Sequence, residues 1–347
     1  HPTPRALPAP PPPAPHLSGR PRRLLSLFSG PYARADGLAP ALRALGWDRV
    51  DQLDNDAKEG GGEQHNLLND STYSQILADA AAGMYDGVMI AFPCTTFSAA
   101  RFFEHGRLRE NPYLGTSGGP PVIRSYTYPD GLPAGLIDPK HVPELKASNA
   151  LLERTVNIAI AAATSPARSS VILENPADRS EAGDEICRDP DFKDHGSMFR
   201  TKPFLRLLAA VNLAHVTFAY CRLGSPYQKY TTLYFTGDVA SELSALGGPE
   251  YKCNHSRGEH EEKVGGQRED GSYASARAAA YPAQLIIKLA RAFDRARRSM
   301  APATAEAGAP HAAPPSRPDR QHDESAPAFS APTPPTPAAS GAAEAPA

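Results

Sequence analysis

The sequence predicts an α/β protein built on a doubly wound, mostly parallel sheet. Two observations carry that expectation: short apolar runs alternate with stretches of helical spacing, and each run stops abruptly at a distinctive polar, glycine or proline motif. The first run, 24–28 (LLSLF), halts at Ser29-Gly30-Pro31, and residues 38–45 then show the i, i+3, i+4 recurrence of a helix. A second run at 50–53 stops at Asp54-Asn55-Asp56, followed by a Gly-rich loop through Gly62 and a helix over 73–82. Residues 87–92 (GVMIAF) are a buried strand leading straight into Pro93-Cys94. A long helix over 147–164 precedes the last run of this series, 170–173 (SVIL), which ends on Glu174-Asn175-Pro176.

A chain of 347 residues that is 41% hydrophobic and 21% charged can bury a sizeable core. Prolines crowd into residues 1–21 and the stretch after Met300, where Ala, Pro and Ser dominate and apolar periodicity ends. Such segments bury too little apolar surface to offset the entropy of ordering. The expected organisation is a disordered tail at 1–22, one domain over 23–298 and a second disordered tail at 299–347. The net charge of −2 excludes a chain that is basic throughout. A nucleic-acid partner would meet local clusters: Arg20, Arg22 and Arg23; Arg101, Arg107 and Arg109; Arg291, Arg295, Arg297 and Arg298. Each reads equally well as a solvated face. The four cysteines, Cys94, Cys187, Cys221 and Cys253, show no paired framework, and neither a secretory segment nor an apolar run of about 20 residues occurs. The expectation is a reduced, intracellular protein, nuclear or cytoplasmic, with no membrane partner. The chain opens on His, as a fragment or processed product would.

Open α/β sheets bind ligands beyond the carboxyl ends of their strands, and every distinctive motif falls there. Gly30 lets a ligand approach the backbone closely. Asp54, with Asp56 behind it, suits ribose hydroxyls, and Asp70 in the NLLND stretch suits an adenine amine. The first turn lacks the full Gly-x-Gly-x-x-Gly pattern and no P-loop occurs, so a cofactor without phosphates, such as S-adenosylmethionine, fits better. Cys94 and Glu174 pair a thiol with a carboxyl group, for which a pyrimidine is a natural substrate. A thiolate adds to C6 of cytosine when an acid bonded to N3 and the exocyclic amine relieves the charge on the ring. The thiol needs positive influence nearby, from Arg101 or the N-terminus of a following helix.

The segments FSGPYARADGL, FPCTTFSAAR and ILENPADR together resemble, in order and spacing, the cofactor-loop, Pro-Cys and Glu-Asn motifs of the DNA cytosine-5 methyltransferase family. Further on, GSPYQKYTTLYFTG resembles the family's Gly-x-Pro-Gln-x-Arg-x-Arg motif, and AAAYPAQLIIKLARAF its closing motif and helix. The resemblance implies a Rossmann-like methyltransferase fold and methyl transfer from S-adenosylmethionine to C5 of cytosine in DNA, RNA remaining open. It makes Cys94 the nucleophile and Glu174 its partner on the base, with Lys229 and Arg101 as cationic support. Phe28, Ser29, Gly30, Pro31, Asp54, Asn55, Asp70 and Pro93 would surround the cofactor. The signature of amino-methyltransferases is absent.

Several positions depart from the family. Phe92 replaces a second proline and is expected to loosen the thiol loop. Lys229 and Thr231 replace two arginines, and Ala280-Tyr281 replaces Gly-Asn. Residues 237–275 are too short for a full target-recognition domain and read as a reduced insert. These departures leave a second reading, a weakened or inactive methyltransferase-like module that binds nucleic acid and derives from a mobile element. Cys253, His255 and His260, with Cys221 elsewhere, are conceivable zinc ligands, but their spacing matches no common pattern, so ordinary loop residues and no metal are expected. Residues 111–143 read as an ordered loop over the site, with Arg124 and Tyr126 serving either nucleic acid or structure.

Overall fold

The computed structural model describes residues 21–299 apart from 33, 105–106, 115–119, 257–258, 263 and 265–277. The expected tails lie outside the described residues, save 21–22 and 299. The strands are β1 (Arg23–Leu27), β2 (Arg49–Leu53), β3 (Gly87–Ala91), β4 (Phe103–Glu104), β5 (Arg107–Leu108), β6 (Ser170–Pro176), β7 (Leu213–Ala219) and β8 (Tyr230–Thr236). Six of them form one sheet in the order β2-β1-β3-β6-β8-β7, while β4 and β5 make a separate short ribbon. β1, β2, β3 and β6 run parallel, whereas β8 is antiparallel to both β6 and β7. The crossovers between parallel strands carry the helices α1 (Leu38–Ala44), α2 (Asp70–Ala81) and α3 (Val142–Thr164).

Strand alternation sends side chains to two cores. Leu24, Met89, Ile172 and Phe235 meet α1 and the helix that closes the fold, 283–299, through Leu42, Leu285, Leu289 and Phe293. Leu25, Val88, Ile90, Val171 and Leu173 face the opposite layer, where α3 contributes Leu152, Val156 and Ala159. Each fully buried aliphatic chain stabilises by about 1.5–3 kcal/mol, and both faces are covered, as a doubly wound sheet requires. Among the described residues no helix is long and apolar enough to cross a membrane.

The elements differ from the sequence reading at their ends. α2 starts at Asp70, three residues early, because the Asn69 side chain accepts hydrogen bonds from Ser71 N (2.9 Å) and Thr72 N (3.4 Å) and caps it. α3 starts at Val142, with Pro143 in its first turn where no amide donor is needed. β6 continues through Glu174-Asn175-Pro176 instead of ending before them. Helix α4 (Lys202–Ala210), capped by Thr201, and β7 carry no distinctive motif, and neither is anticipated from the sequence. Within the insert, a short helix α5 (Ala240–Leu243) and its flanks put Val239, Leu243 and Leu246 into the core against the closing helix α6 (Ala283–Ser299). That part of the segment is integral to the fold; residues 257–258, 263 and 265–275 of it lie outside the described residues.

Candidate active site

The register of the central strands brings the two expected chemical groups together. Ala91 at the end of β3 pairs with Glu174 on β6, so Pro93-Cys94 leaves the sheet beside the carboxylate. The loop carrying the thiol is held from several sides. Asn175 donates through Nδ2 to Phe92 O (2.8 Å), and Phe97 N donates to Cys94 O (2.9 Å), closing a turn. The Phe92 ring, 2% exposed, packs edge-on against Phe28 (centroids 5.5 Å) and Phe97 (6.1 Å). Phe92 therefore anchors the loop, contrary to the expectation that replacing proline loosens it. His195, buried between segments, contacts Phe97 O through Nε2 (2.8 Å) while Arg179 N donates to its Nδ1 (3.2 Å).

Around Glu174 the structure assembles a polar cluster. Lys229 Nζ lies 3.3 Å from Oε1, Tyr220 donates its hydroxyl to the same oxygen (3.4 Å), and Tyr281 donates to Oε2 (3.3 Å). The Lys229 ammonium also sits 4.7 Å from the centre of the Tyr220 ring. Burial alone would lower the Lys229 pKa, but Glu174, then Tyr220 and Cys94, outweigh it and hold the amine protonated. Burial pushes the Cys94 thiol up; Lys229 opposes this, Glu174 adds to it, and Arg101 has the smallest part. Burial and the neighbouring carboxylate likewise keep Tyr220 and Tyr281 as neutral donors. Tyr281, noted in the sequence only as a departure, and Tyr220 and His195, not noted at all, are thus part of the site. A lone tyrosine or histidine in a sequence has no spacing to reveal it.

The first loop is built around Asp54. Its Oδ2 accepts from Gly30 N and its Oδ1 from Asp56 N, both at 3.0 Å, tying the β1 loop to the end of β2. Phe28 N donates to Leu53 O at 2.7 Å, and Phe28 itself adopts a left-handed conformation (φ 58°). Gly30 follows with φ +67° and open space where a Cβ would project, a cradle for a close-approaching ligand. Ser29 is half-buried, Pro31 and Asn55 are exposed, and Pro93 is half-buried beside Cys94. Tyr32 donates its hydroxyl to Gln52 O, and its ring stacks on His65 (centroids 5.7 Å), closing the outer wall.

Other expected site residues are engaged elsewhere. Asp70 has an 89% exposed side chain paired with Arg154 of α3 (2.5 Å). Arg101, 5% exposed, donates to Thr95 O (2.6 Å), Pro121 O (2.7 Å) and the Glu144 carboxylate, so it braces the loop after Cys94. Arg124, 1% exposed, donates to Thr96 Oγ1 (3.0 Å), Pro129 O (2.8 Å) and Asn149 Oδ1 (2.7 Å), which decides for a structural role. Tyr126 is exposed, with the Arg200 guanidinium 4.0 Å from its ring centre. Thr231 is fully buried within β8 and offers no cation. Cys221, Cys253, His255 and His260, expected as ordinary loop residues, come together in one cluster.

The sheet and its crossovers define a doubly wound, Rossmann-like α/β protein. No protein family and no curated protein matches the chain. Among solved structures, the crystal structure of S. pombe Dnmt2 methyltransferase aligns at 13% identity with a TM-score of 0.31, over 69% of this chain and 58% of that one. The chain thus spans less than two thirds of that protein's length, and the functional reading rests on its own side chains.

Proposed function

We propose that the protein is an S-adenosylmethionine-dependent methyltransferase acting on C5 of cytosine in nucleic acid, with DNA as the favoured substrate. The observation that carries this reading is the convergence of Cys94 and Glu174 at the carboxyl ends of the adjacent parallel strands β3 and β6 with Lys229, which enters from the start of the antiparallel β8, next to the open turn at Gly30. Phe28, Gly30 and Asp54 fit a nucleoside cofactor: the turn is open, and Asp54 retains lone pairs for ribose hydroxyls. When bound, S-adenosylmethionine supplies an electrophilic methyl group. Lys229 favours the Cys94 thiolate, which adds to C6 of the ring. Glu174, held by Lys229, Tyr220 and Tyr281, accepts from the exocyclic amine and, once protonated, donates to N3. Addition makes C5 nucleophilic; after methylation, loss of the C5 proton and expulsion of the thiolate restore the ring. In a duplex the base is first flipped from the stack. Arg101 acts by positioning the loop, and Asp70 stands outside the reading.

The test is a covalent trap. Incubated with S-adenosylmethionine and DNA containing 5-fluorocytosine, the protein is expected to form an adduct that survives denaturing gels and is lost in Cys94→Ser. Absence of adduct on DNA and RNA of varied sequence, with cofactor binding demonstrated by calorimetry, would overturn the proposal. Labelled methyl transfer to DNA and RNA in parallel separates the two substrates.

A further inference from the structure

The cluster away from the Cys94 loop calls for its own account. Cys221, Cys253, His255 and His260 each offer one ligand atom, and all four atoms lie within 4.8 Å of one another. Cys253 Sγ is 3.3 Å from His260 Nε2 and 3.6 Å from His255 Nδ1. Metal–ligand bonds of about 2.0–2.3 Å in a tetrahedron place the ligand atoms roughly 3.3–3.8 Å apart, and the two Cys253–His spacings fall in that range. The two rings stand at 65° with centroids 4.7 Å apart, presenting different nitrogens to the same point.

The backbone prepares this arrangement from both sides. Cys221 sits in the turn Tyr220–Leu223 directly after β7, which Gly224 closes in a left-handed conformation. The opposing segment is strapped to that turn: Arg222 donates to Glu250 O (2.7 Å) and Asn254 Oδ1 (2.8 Å), and Glu262 N donates to Pro226 O (3.0 Å). Glu259 N donates to Ser256 O (3.1 Å) and Ser256 N to Glu259 Oε2 (2.6 Å), which brings His260 back beside His255. Three ligand atoms thus come from residues 253–260 and the fourth from Cys221 on the far side of β8, which is why no contiguous spacing announces the set.

We propose that Cys221, Cys253, His255 and His260 form a structural zinc site that pins the insert to the end of the sheet carrying Tyr220 and Lys229. Two thiolates and two neutral imidazoles select a borderline-soft ion that accepts four-coordination, which is zinc and not magnesium or calcium. Four protein ligands leave no open position, as structural sites require. Binding releases the two thiol protons, so the divalent ion and two thiolates form a neutral unit. Through Cys221 the ion fixes the turn next to Tyr220, one of the donors to Glu174. The proposal stands independently of the reaction assigned to Cys94.

Elemental analysis of the full chain, purified without chelator, is expected to find about one zinc per chain. Cys253→Ser and His260→Ala are each expected to lose it, while Cys94→Ser keeps it. Cobalt in place of zinc should give the intense visible bands of a tetrahedral thiolate site. Should the variants fail to fold, the wild-type chain still answers: zinc is expected to shield Cys221 and Cys253 from alkylation until a chelator is added. A folded wild-type chain that takes up neither zinc nor cobalt, zinc content unchanged in both variants, or a Cys221–Cys253 disulfide found by mass spectrometry would each overturn the proposal.

Discussion

Cys94 lies between opposite charges, with Lys229 favouring its thiolate and Glu174 opposing it. The Glu174→Gln variant separates nucleophilicity from catalysis. Replacing the carboxylate by an amide removes the anion that raises the Cys94 pKa and leaves the Lys229 cation, so the pKa falls and more thiolate is present at a given pH. Alkylation of Cys94 by iodoacetamide, followed by mass spectrometry, should therefore shift to lower pH. Methyl transfer should fall by roughly 10²–10³-fold, the usual cost of losing one group that stabilises developing charge. An unmoved alkylation profile would show that burial alone sets the thiol. That Cys94 and Glu174 would lie side by side was legible in the sequence because both close on buried apolar runs, and strand ends are where open sheets place ligands. Asp70 and Arg101 show the complementary case. Polar residues near a motif look functional until their partners are known, and here Arg154 and Glu144 already engage them.

At the scale of elements, the first loop and the loop carrying the thiol share a chain of aromatic contacts. Phe28 from the first loop, Phe92 from the end of β3 and Phe97 from the turn after the thiol pack in a chain, with Asn175 of β6 holding Phe92 O. Placing a proline at Phe92 should therefore harm the protein. Phe92→Pro removes a buried ring, and truncation of that kind costs about 3–5 kcal/mol. Urea denaturation followed by circular dichroism should show the loss as a lower midpoint, and a midpoint equal to or above wild type would mean that the ring does not anchor the loop. The parallel half of the sheet was readable from apolar runs separated by helical spacing. β7 was not: it opens on half-buried and exposed residues, so its first half lacks the continuous apolar signal of a central strand. The Cys/His cluster was legible as a set of candidate residues but not as a cluster, since Cys221 reaches Cys253 only after β8 and α5 have folded back.

For the whole molecule the proposed reaction raises the question of how a chain of net charge −2 would meet a polyanion. The basic clusters that suggested a nucleic-acid surface are largely neutralised within the fold. Arg22 pairs with Asp294 and Arg23 with Asp51; Arg295 pairs with Glu242, Arg297 with Asp86 and Arg298 with Asp294. Arg101 is buried against Glu144, while Arg107 and Arg291 are exposed and Arg20 lies outside the described residues. Each phosphate neutralised by a protein cation contributes about −0.9 to the slope of log K against log salt on duplex DNA. Among the described residues of these clusters few cations are free of a carboxylate, so the slope should be shallow, no steeper than about −3, with affinity drawn mainly from the extruded base and its pocket. Fluorescence anisotropy on a labelled duplex across a sodium chloride series measures this directly. A slope of about −6 or steeper would mean that a broad basic surface assembles on the chain and that the ion pairs of the free protein open to form it.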